Sequence, residues 1–207
     1  MSPSADNWWC AQKRPLAALV DYFDNLNGNL RDTLPDFLLV IDDDTFVNSV
    51  LFHEFLNWLP NPERNSIYLG DTLPGSGDSF VAGGGGWLVS KKILQSLSTQ
   101  KNGDFNAYIC LNKQQQASGS WCWYHSDWAI GECIFKFTNA IPVHTNYFIQ
   151  DSNNCVDREN LNKEIGINYD HCRKCDLMSS ITCHKYNSEE QLTMHRSTMK
   201  KHRLKQT

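Results

Sequence analysis

The chain has 207 residues, of which 41% are hydrophobic and 20% are charged. This composition excludes a disordered protein and indicates one globular domain, predicted over residues 1–195, followed by a basic tail over 196–207. The formal net charge of −4 argues against general nucleic-acid binding, and no run approaches the ~20 apolar residues of a membrane span.

Eight cysteines favour an oxidising compartment, in which disulfide bonds form and persist. Residues 1–10 do not read as a secretory signal, because they lack an apolar segment. A membrane anchor that is absent from this sequence would reconcile the two observations. We therefore expect attachment to a membrane only through such a segment.

The first predicted elements are a helix and a buried strand. The helix begins at Pro15, and its apolar residues follow the i, i+3, i+4, i+7 spacing of an amphipathic helix: Leu16, Leu19, Val20 and Phe23. Residues 37–41 are wholly apolar, which predicts a strand buried on both faces, as in a parallel sheet.

Helices and strands then alternate along the chain. A helix capped by Asn48 or Ser49 is predicted to turn these residues inward: Val50, Leu51, Phe55, Leu56 and Leu59. Further strands are predicted at 67–70, 80–82 and 87–89. Further helices are predicted after Ser90, over 127–137 and after Ser188. This alternation predicts an α/β fold.

Three consecutive aspartates, Asp42, Asp43 and Asp44, directly follow the first predicted strand. Adjacent carboxylates repel one another, so they require a cation, hydrogen-bond donors or open water. Open α/β sheets place ligands at the carboxyl ends of their strands, and carboxylates suit hard cations such as Mg²⁺ or Mn²⁺. The residues predict a cation site with positions open for a diphosphate; the alternative is a loop with a helix cap.

Four consecutive glycines, Gly83, Gly84, Gly85 and Gly86, separate two apolar segments. Glycine has no Cβ, so a ligand or another stretch of backbone can approach it closely. No Gly-Lys-Ser/Thr sequence follows, which excludes a Walker phosphate loop. The alternative interpretation is a flexible hairpin turn.

Asp127 stands at the start of a predicted helix, where helix-end N–H donors are expected to stabilise its carboxylate. An acid at such a position often serves only as a helix cap. In a substrate site the same carboxylate could act as a general base. Both interpretations stay open on the local sequence.

The C-terminal part of the chain carries a cluster of potential metal ligands: His171, Cys172, Cys175, Cys183 and His184. A Cys-x2-Cys pair followed by Cys-His could bind zinc and stabilise an interaction domain. A second regular pair is missing, however, which favours disulfide bonds. His184 would then be available for another function.

These motifs resemble, in the same order, those of the fringe and core 1 β1,3-galactosyltransferase family. The similar segments are the aspartate motif at 40–47, the glycine block at 83–91, the acidic motif at 126–133 and the histidine segment at 172–190. The resemblance extends over residues 9–195, which is most of the chain.

The resemblance implies a GT-A-like, Rossmann-related α/β domain that is truncated at its N-terminal side and has a cysteine-rich C-terminal segment. It also implies inverting transfer, in β1,3 linkage, of a hexose or N-acetylhexosamine from a UDP-sugar to a glycan or glycoprotein hydroxyl. Such a reaction implies the Golgi or secretory-pathway lumen, with no nucleic acid as partner.

The resemblance also implies roles for individual residues. Asp127 would be the catalytic base, and His184 would complete a Mn²⁺ or Mg²⁺ site with Asp44 and Asp42. Asp42 and Asp43 would lie near the ribose and the diphosphate. The glycines at 83–86 would line the sugar pocket.

Two departures from the family pattern define a competing interpretation. Only one predicted helix precedes the aspartates, where the family has further strands and helices, and Ser126 replaces an acid. The alternative function is therefore that of a non-catalytic, truncated homologue that binds a glycan or a protein. The presence of Asp44, Asp127 and His184 favours the enzyme.

Overall fold

The computed structural model describes residues 13–26, 33–72, 80–101, 103–118, 125–149, 180–184, 191–192 and 195–196. The helices bounded within these ranges are α1 (Arg14–Asn25), α2 (Ser49–Leu56), α3 (Lys91–Leu97), α4 (Asn106–Ser118) and α5 (Ser126–Thr138). The strands are β1 (Phe37–Val40), β2 (Phe46–Val47), β3 (Tyr68–Gly70), β4 (Trp87–Ser90), β5 (Gln100–Lys101), β6 (Asp104–Phe105), β7 (Val143–His144), β8 (Phe148–Ile149) and β9 (Thr182–Cys183). None of these helices has the length and apolar character needed to cross a membrane.

The main sheet has the strand order β1-β4-β3-β7. Strand β4 is antiparallel to both β1 and β3, whereas β3 and β7 are parallel. Strands β1, β3 and β7 therefore end at one edge of the sheet, which is also the edge where β4 begins. The mixed α/β architecture is confirmed, but the prediction that the first strand belongs to a parallel sheet is wrong. The glycines at 83–86 lie at the edge of the sheet where β1 ends, and β4 begins directly after them. Strand β4 therefore runs antiparallel to β1.

Both faces of the main sheet are covered by apolar side chains. On β4, Trp87 and Val89 face one core, which α1, α3, α4 and α5 complete, while Leu88 faces a second core. The second core contains Phe148 and Ile181, and side chains of α2 pack against it. Because successive strand residues point to opposite faces, a sheet covered on both sides needs an unbroken apolar run. This explains the apolar segment at 37–41, of which residues 37–40 form β1.

The predicted helices α1, α2, α3 and α5 are confirmed, although α2 ends at Leu56, before the predicted inward residue Leu59. The apolar side of α1 buries Leu16, Leu19 and Phe23, and such side chains each contribute about 1.5–3 kcal/mol of transfer free energy. Asn48 caps α2, because its side-chain oxygen accepts a hydrogen bond from the Leu51 N–H. Ser90 precedes α3 but does not cap it; its hydroxyl donates to the Asn65 carbonyl instead.

Three further predictions have different outcomes. Residues 80–82 do not form a strand, although the Ala82 N–H donates to the Asp71 carbonyl at 2.8 Å. Helix α4 was not predicted from the sequence, because its apolar residues do not gather on one side. Residues 191–192 and 195–196 are helical, whereas the predicted cap at Ser188 lies outside the described residues.

Disulfide bonds confirm the preference for cross-linked cysteines. Cys110 of α4 is bonded to Cys133 of α5, and Cys183 in β9 is also disulfide-bonded. The first bond joins two helices of the larger core. The second covalently restrains the short strand that precedes His184.

Candidate active site

The aspartates form a tight turn at the carboxyl end of β1. The Thr45 N–H donates to the Asp42 carbonyl at 3.2 Å, which folds the chain back before β2. The side chains of Asp42 and Asp44 remain 60% and 46% exposed. Two carboxylates thus lie at the surface of the edge where the main strands converge.

Pairing between β2 and β9 brings His184 to this turn. The strands are antiparallel, with Phe46 opposite Cys183, so the residue after Cys183 lies beside the residues that precede Phe46. His184 Nε2 is 3.0 Å from Asp44 Oδ1 and 3.7 Å from Asp42 Oδ2. We call these three residues, Asp42, Asp44 and His184, the aspartate–histidine cluster.

The geometry of the aspartate–histidine cluster fits a divalent cation. Its three ligand atoms lie within 4.8 Å of one another. Neighbouring ligand atoms in an octahedral shell are about 3 Å apart. The 3.0 Å from His184 Nε2 to Asp44 Oδ1 matches this spacing, whereas the 3.7 Å to Asp42 Oδ2 is longer. Asp44 Oδ1 is also buried and, apart from its 3.0 Å contact with His184 Nε2, has no hydrogen-bond partner among the described residues, although buried carboxylate oxygens normally have one. A protonated His184 would form an ion pair with Asp44, and a cation would satisfy both ligands.

The hypothesis of a zinc site built on the C-terminal cysteines is wrong for Cys183. That sulfur is disulfide-bonded, so it cannot provide a thiolate ligand. His184 instead faces the two aspartates. His171, Cys172 and Cys175 lie outside the described residues.

Asp127 lies in the first turn of α5, and the glycine segment fixes its carboxylate. The Gly83 N–H donates to Asp127 Oδ2 at 2.9 Å, and the Ser126 hydroxyl donates to Oδ1 at 3.2 Å. Of these two donors, Ser126 belongs to the end of α5, whereas the backbone donor Gly83 comes from another segment. Any Cβ at position 83 would overlap Asp127 Oδ1, so the close approach requires glycine.

Burial raises the pKa of Asp127 above its ordinary value, although the hydrogen bonds from Gly83 and Ser126 act in the opposite direction. Removal from water disfavours the charged form of a carboxyl group. A raised pKa means that the Asp127 carboxylate binds a proton more strongly than the carboxylate of an aspartate in water does. The Asp127 carboxylate is therefore a stronger base than that of an ordinary aspartate.

Asp127 and the aspartate–histidine cluster share one electrostatic environment. Partial burial raises the pKa of Asp42, and the negative charge of Asp127 adds to that shift. Burial also raises the pKa of Tyr68, whose hydroxyl oxygen accepts the Val81 N–H, and Asp127 again adds to the shift. Hydrogen bonds show the same proximity: the Gly83 N–H binds Asp127, and the carbonyl of the next residue, Gly84, accepts the hydroxyl of Thr45, which directly follows Asp44.

The other glycines join separate segments of the site through their backbone. The Thr45 hydroxyl donates to the Gly84 carbonyl at 2.8 Å, and the Thr182 hydroxyl donates to the Gly85 carbonyl. Gly86 has a φ of +87°, a conformation that favours glycine. Sequence reasoning missed both threonines, although one directly follows the aspartates and the other lies two residues before His184.

Asp43 lies outside the aspartate–histidine cluster. Its side chain is exposed, and its backbone carbonyl accepts a hydrogen bond from Gln191 Nε2 at 3.2 Å. Contact of Asp43 with a ribose or diphosphate stays a prediction. Contact of the glycines with a sugar also stays a prediction. The carbonyls of Gly84 and Gly85 accept hydrogen bonds from within the protein.

The family model described as Fringe-like matches residues 1–199. No curated protein matches the sequence. The matched range contains the aspartate–histidine cluster, the glycine segment and Asp127.

We predict that Asp127→Asn makes the folded chain more stable than the wild type at neutral pH. Folding raises the pKa of this carboxyl, so above the ordinary pKa the folded chain must bury a charge that the unfolded chain keeps in water. This cost disappears as the pH falls through the raised pKa, and the difference between the proteins should shrink in acid. Denaturant unfolding at neutral and acidic pH, with chelator present, measures it. A variant that is less stable than the wild type at neutral pH would contradict the prediction.

Proposed function

Because this chain belongs to the Fringe-like family, a family of glycosyltransferases, we propose that it transfers a hexose or N-acetylhexosamine from a UDP-sugar. The acceptor is a hydroxyl group of a glycan or glycoprotein, the linkage is β1,3, and the anomeric configuration is inverted. The observation that carries this proposal is that Asp42, Asp44 and His184 lie together and that the glycine segment joins their turn to Asp127: Gly84 accepts the Thr45 hydroxyl, and the Gly83 N–H binds the Asp127 carboxylate. A GT-A-like domain would combine these groups at one edge of its sheet.

Asp127 would act as the catalytic base. Its carboxylate would accept the proton of the acceptor hydroxyl while that oxygen attacks the anomeric carbon. The bond from this carbon to the diphosphate oxygen breaks on the opposite face, so UDP leaves and the configuration inverts. The transition state would resemble an oxocarbenium ion, by analogy with glycoside hydrolysis. The raised pKa of Asp127 supports the role, because proton transfer is favoured by a stronger base.

Asp42, Asp44 and His184 would hold a divalent cation. Bound there, the cation would neutralise negative charge on the departing diphosphate. The mixed ligand set favours Mn²⁺ over Mg²⁺, because Mg²⁺ prefers a shell of oxygen ligands and His184 offers nitrogen. Asp43, exposed beside the cluster, would contact the nucleotide, and the glycines at 83–86 would border the donor sugar.

The proposed location is the lumen of the Golgi or secretory pathway. The disulfide between Cys110 and Cys133 and the disulfide-bonded Cys183 support an oxidising compartment. A glycan or glycoprotein acceptor would be present in the same lumen.

The direct test of this function is calorimetric titration of UDP into the purified chain, with Mn²⁺ and then with chelator. We expect binding that requires the metal, and we expect Asp44→Asn to abolish it by removing the carboxylate that is 3.0 Å from His184. Asp43→Asn is the matched control: it should retain Mn²⁺ binding, measured by electron paramagnetic resonance, because Asp43 lies outside the cluster. A folded wild-type chain that binds no UDP would favour the non-catalytic homologue.

We predict that Asp127→Asn lowers kcat for transfer by about 10²–10⁴-fold, the usual contribution of a general base. Metal-dependent binding of UDP should persist, because the substitution preserves the shape of the side chain. The exposed Asp104, changed to Asn, provides a control for loss of one carboxylate elsewhere. Normal turnover by Asp127→Asn would exclude the base assignment.

We predict that Gly83→Ala lowers kcat by about 10²-fold, the order of effect expected when a reacting group is displaced by 1 Å. The new methyl group would overlap Asp127 Oδ1 and move the carboxylate. A double-mutant cycle is the control: in the Asp127→Asn background, Gly83→Ala should cause little further loss. An equal loss in both backgrounds would mean that Gly83 does not act through Asp127.

A further inference from the structure

The aspartate–histidine cluster takes its ligands from two different sheets. Asp42 follows β1, a strand of the main sheet, whereas His184 directly follows β9, which pairs with β2 and β8 in a three-stranded sheet. His184 Nε2 lies 3.7 Å from Asp42 Oδ2. Hydrogen bonds within either sheet do not fix this distance, because the two ligands belong to separate sheets. The relative position of the sheets therefore decides whether one ion can reach both side chains.

The glycine segment is a fixed part of the main sheet. It leads into β4, and the Gly86 N–H donates to the Gly83 carbonyl at 2.8 Å, which closes the segment into a tight turn. A Cβ at Gly86 would lie 3.0 Å from the Val40 carbonyl oxygen, so the turn lies directly against the end of β1. The turn can therefore serve as a support for the segments that contact it.

Two threonine hydroxyls join the three-stranded sheet to this turn. Thr45 directly precedes β2 and donates to the Gly84 carbonyl at 2.8 Å, while Thr182 of β9 donates to the Gly85 carbonyl. Thr45 is 4% exposed and Thr182 is fully buried. One torsion separates a threonine hydroxyl from the backbone, and the branched Cβ restricts that torsion. Each hydrogen bond therefore fixes the backbone of its own residue against the turn.

Each threonine is a close neighbour of one proposed metal ligand. Asp44 directly precedes Thr45, and His184 lies two residues after Thr182. The two ligands face each other, with Asp44 Oδ1 3.0 Å from His184 Nε2. Both ligands thus belong to segments that are bonded to consecutive carbonyls of one turn.

The two ligands differ in chemistry. Asp44 offers a carboxylate oxygen, which suits both Mg²⁺ and Mn²⁺. His184 offers an imidazole nitrogen, which suits transition-metal ions, whereas Mg²⁺ favours a strict octahedral shell of oxygen ligands. Displacement of Asp44 would therefore weaken the binding of both ions. Displacement of His184 would weaken the binding of Mn²⁺ more than that of Mg²⁺.

We propose that Thr45 and Thr182 are positioning residues of the metal site, with separate effects. The Thr45 hydroxyl fixes Asp44 and so sets the affinity for divalent cations, while the Thr182 hydroxyl fixes His184 and so sets the preference for Mn²⁺ over Mg²⁺. This inference rests on the metal site of the proposed function. Both threonines act through the backbone of the segment that carries the ligand.

The first test measures binding of Mn²⁺ to the purified chain, without UDP, by electron paramagnetic resonance. Affinity for Mg²⁺ is measured by its displacement of bound Mn²⁺. Thr45→Val should weaken both ions about tenfold, the lower end of the usual effect for groups that support metal ligands. Thr182→Val should weaken Mn²⁺ about tenfold, with a smaller loss for Mg²⁺. Equal losses for the two ions in Thr182→Val would overturn its role in selectivity.

Serine variants test whether the hydroxyl groups carry the effect. Thr45→Ser and Thr182→Ser lose only a methyl group, and they should bind Mn²⁺ as tightly as the wild type. If a valine variant does not fold, Thr→Ser and Thr→Ala at that position are compared, since these two differ only in the hydroxyl. A serine variant as weak as the alanine variant would overturn the proposal, because packing of the methyl group would then explain the loss.

Ser90→Ala is the matched control for the loss of a buried hydroxyl elsewhere. The Ser90 hydroxyl is fully buried and donates to the Asn65 carbonyl at 2.6 Å, at the end of β4 that lies away from the glycine segment. We expect Ser90→Ala to lower stability against denaturant and to leave the affinity for Mn²⁺ unchanged. A loss of Mn²⁺ affinity equal to that of Thr45→Val would mean that the threonines act only through general stability.

These measurements distinguish failure of the proposal from failure of the proposed function. If the wild-type chain binds no Mn²⁺, the metal site is wrong, and the roles of both threonines are wrong with it. If Mn²⁺ binds equally well to the wild type and to both valine variants, the metal site stands and the positioning roles are wrong. If Mn²⁺ binding depends on both hydroxyls but UDP does not bind, the positioning roles stand and the transferase reaction is wrong.

Discussion

The site depends on a strip of backbone without side chains, the glycine segment at 83–86. It enters β4 at the edge where β1 and β3 end, so segments from distant parts of the sequence must pass close to it. The Gly83 N–H binds Asp127, and the carbonyls of Gly84 and Gly85 accept the hydroxyls of Thr45 and Thr182. Side chains at these positions would separate the proposed base from the proposed metal ligands.

Much of the fold follows from periodicity, because the predicted elements bury apolar surface in regular patterns. Helix α1 and strand β4 have clear apolar spacing, and both were located from sequence. Helix α4 was not predicted, because the glutamines at 114–116 interrupt the apolar pattern of its buried side. The antiparallel direction of β4 relative to β1 was not predicted either. An apolar run shows that both faces of a strand are covered, but it does not show whether the neighbouring strands are parallel or antiparallel.

The candidate site could be predicted as a set of residues but not as an arrangement. Asp42, Asp44 and Asp127 were identifiable from their positions at the ends of predicted elements, and His184 from family resemblance. The hydrogen bond between Gly83 and Asp127 spans 44 residues and depends on tertiary packing, so no local pattern indicates it. The raised pKa of Asp127 was equally hidden, because burial is a property of the folded chain.

The disulfide-bonded Cys183 has a practical consequence for producing this protein. It directly precedes His184 and lies in β9, the two-residue strand that sets that imidazole beside Asp44. This strand is hydrogen-bonded to β2 on one side and to β8 on the other, and the disulfide adds a covalent restraint to these contacts. Chain made in a reducing host cytoplasm would lack this restraint, and His184, the third proposed metal ligand, would be held only by non-covalent contacts. Expression with export to an oxidising compartment is therefore the appropriate route to material in which His184 is held beside Asp44.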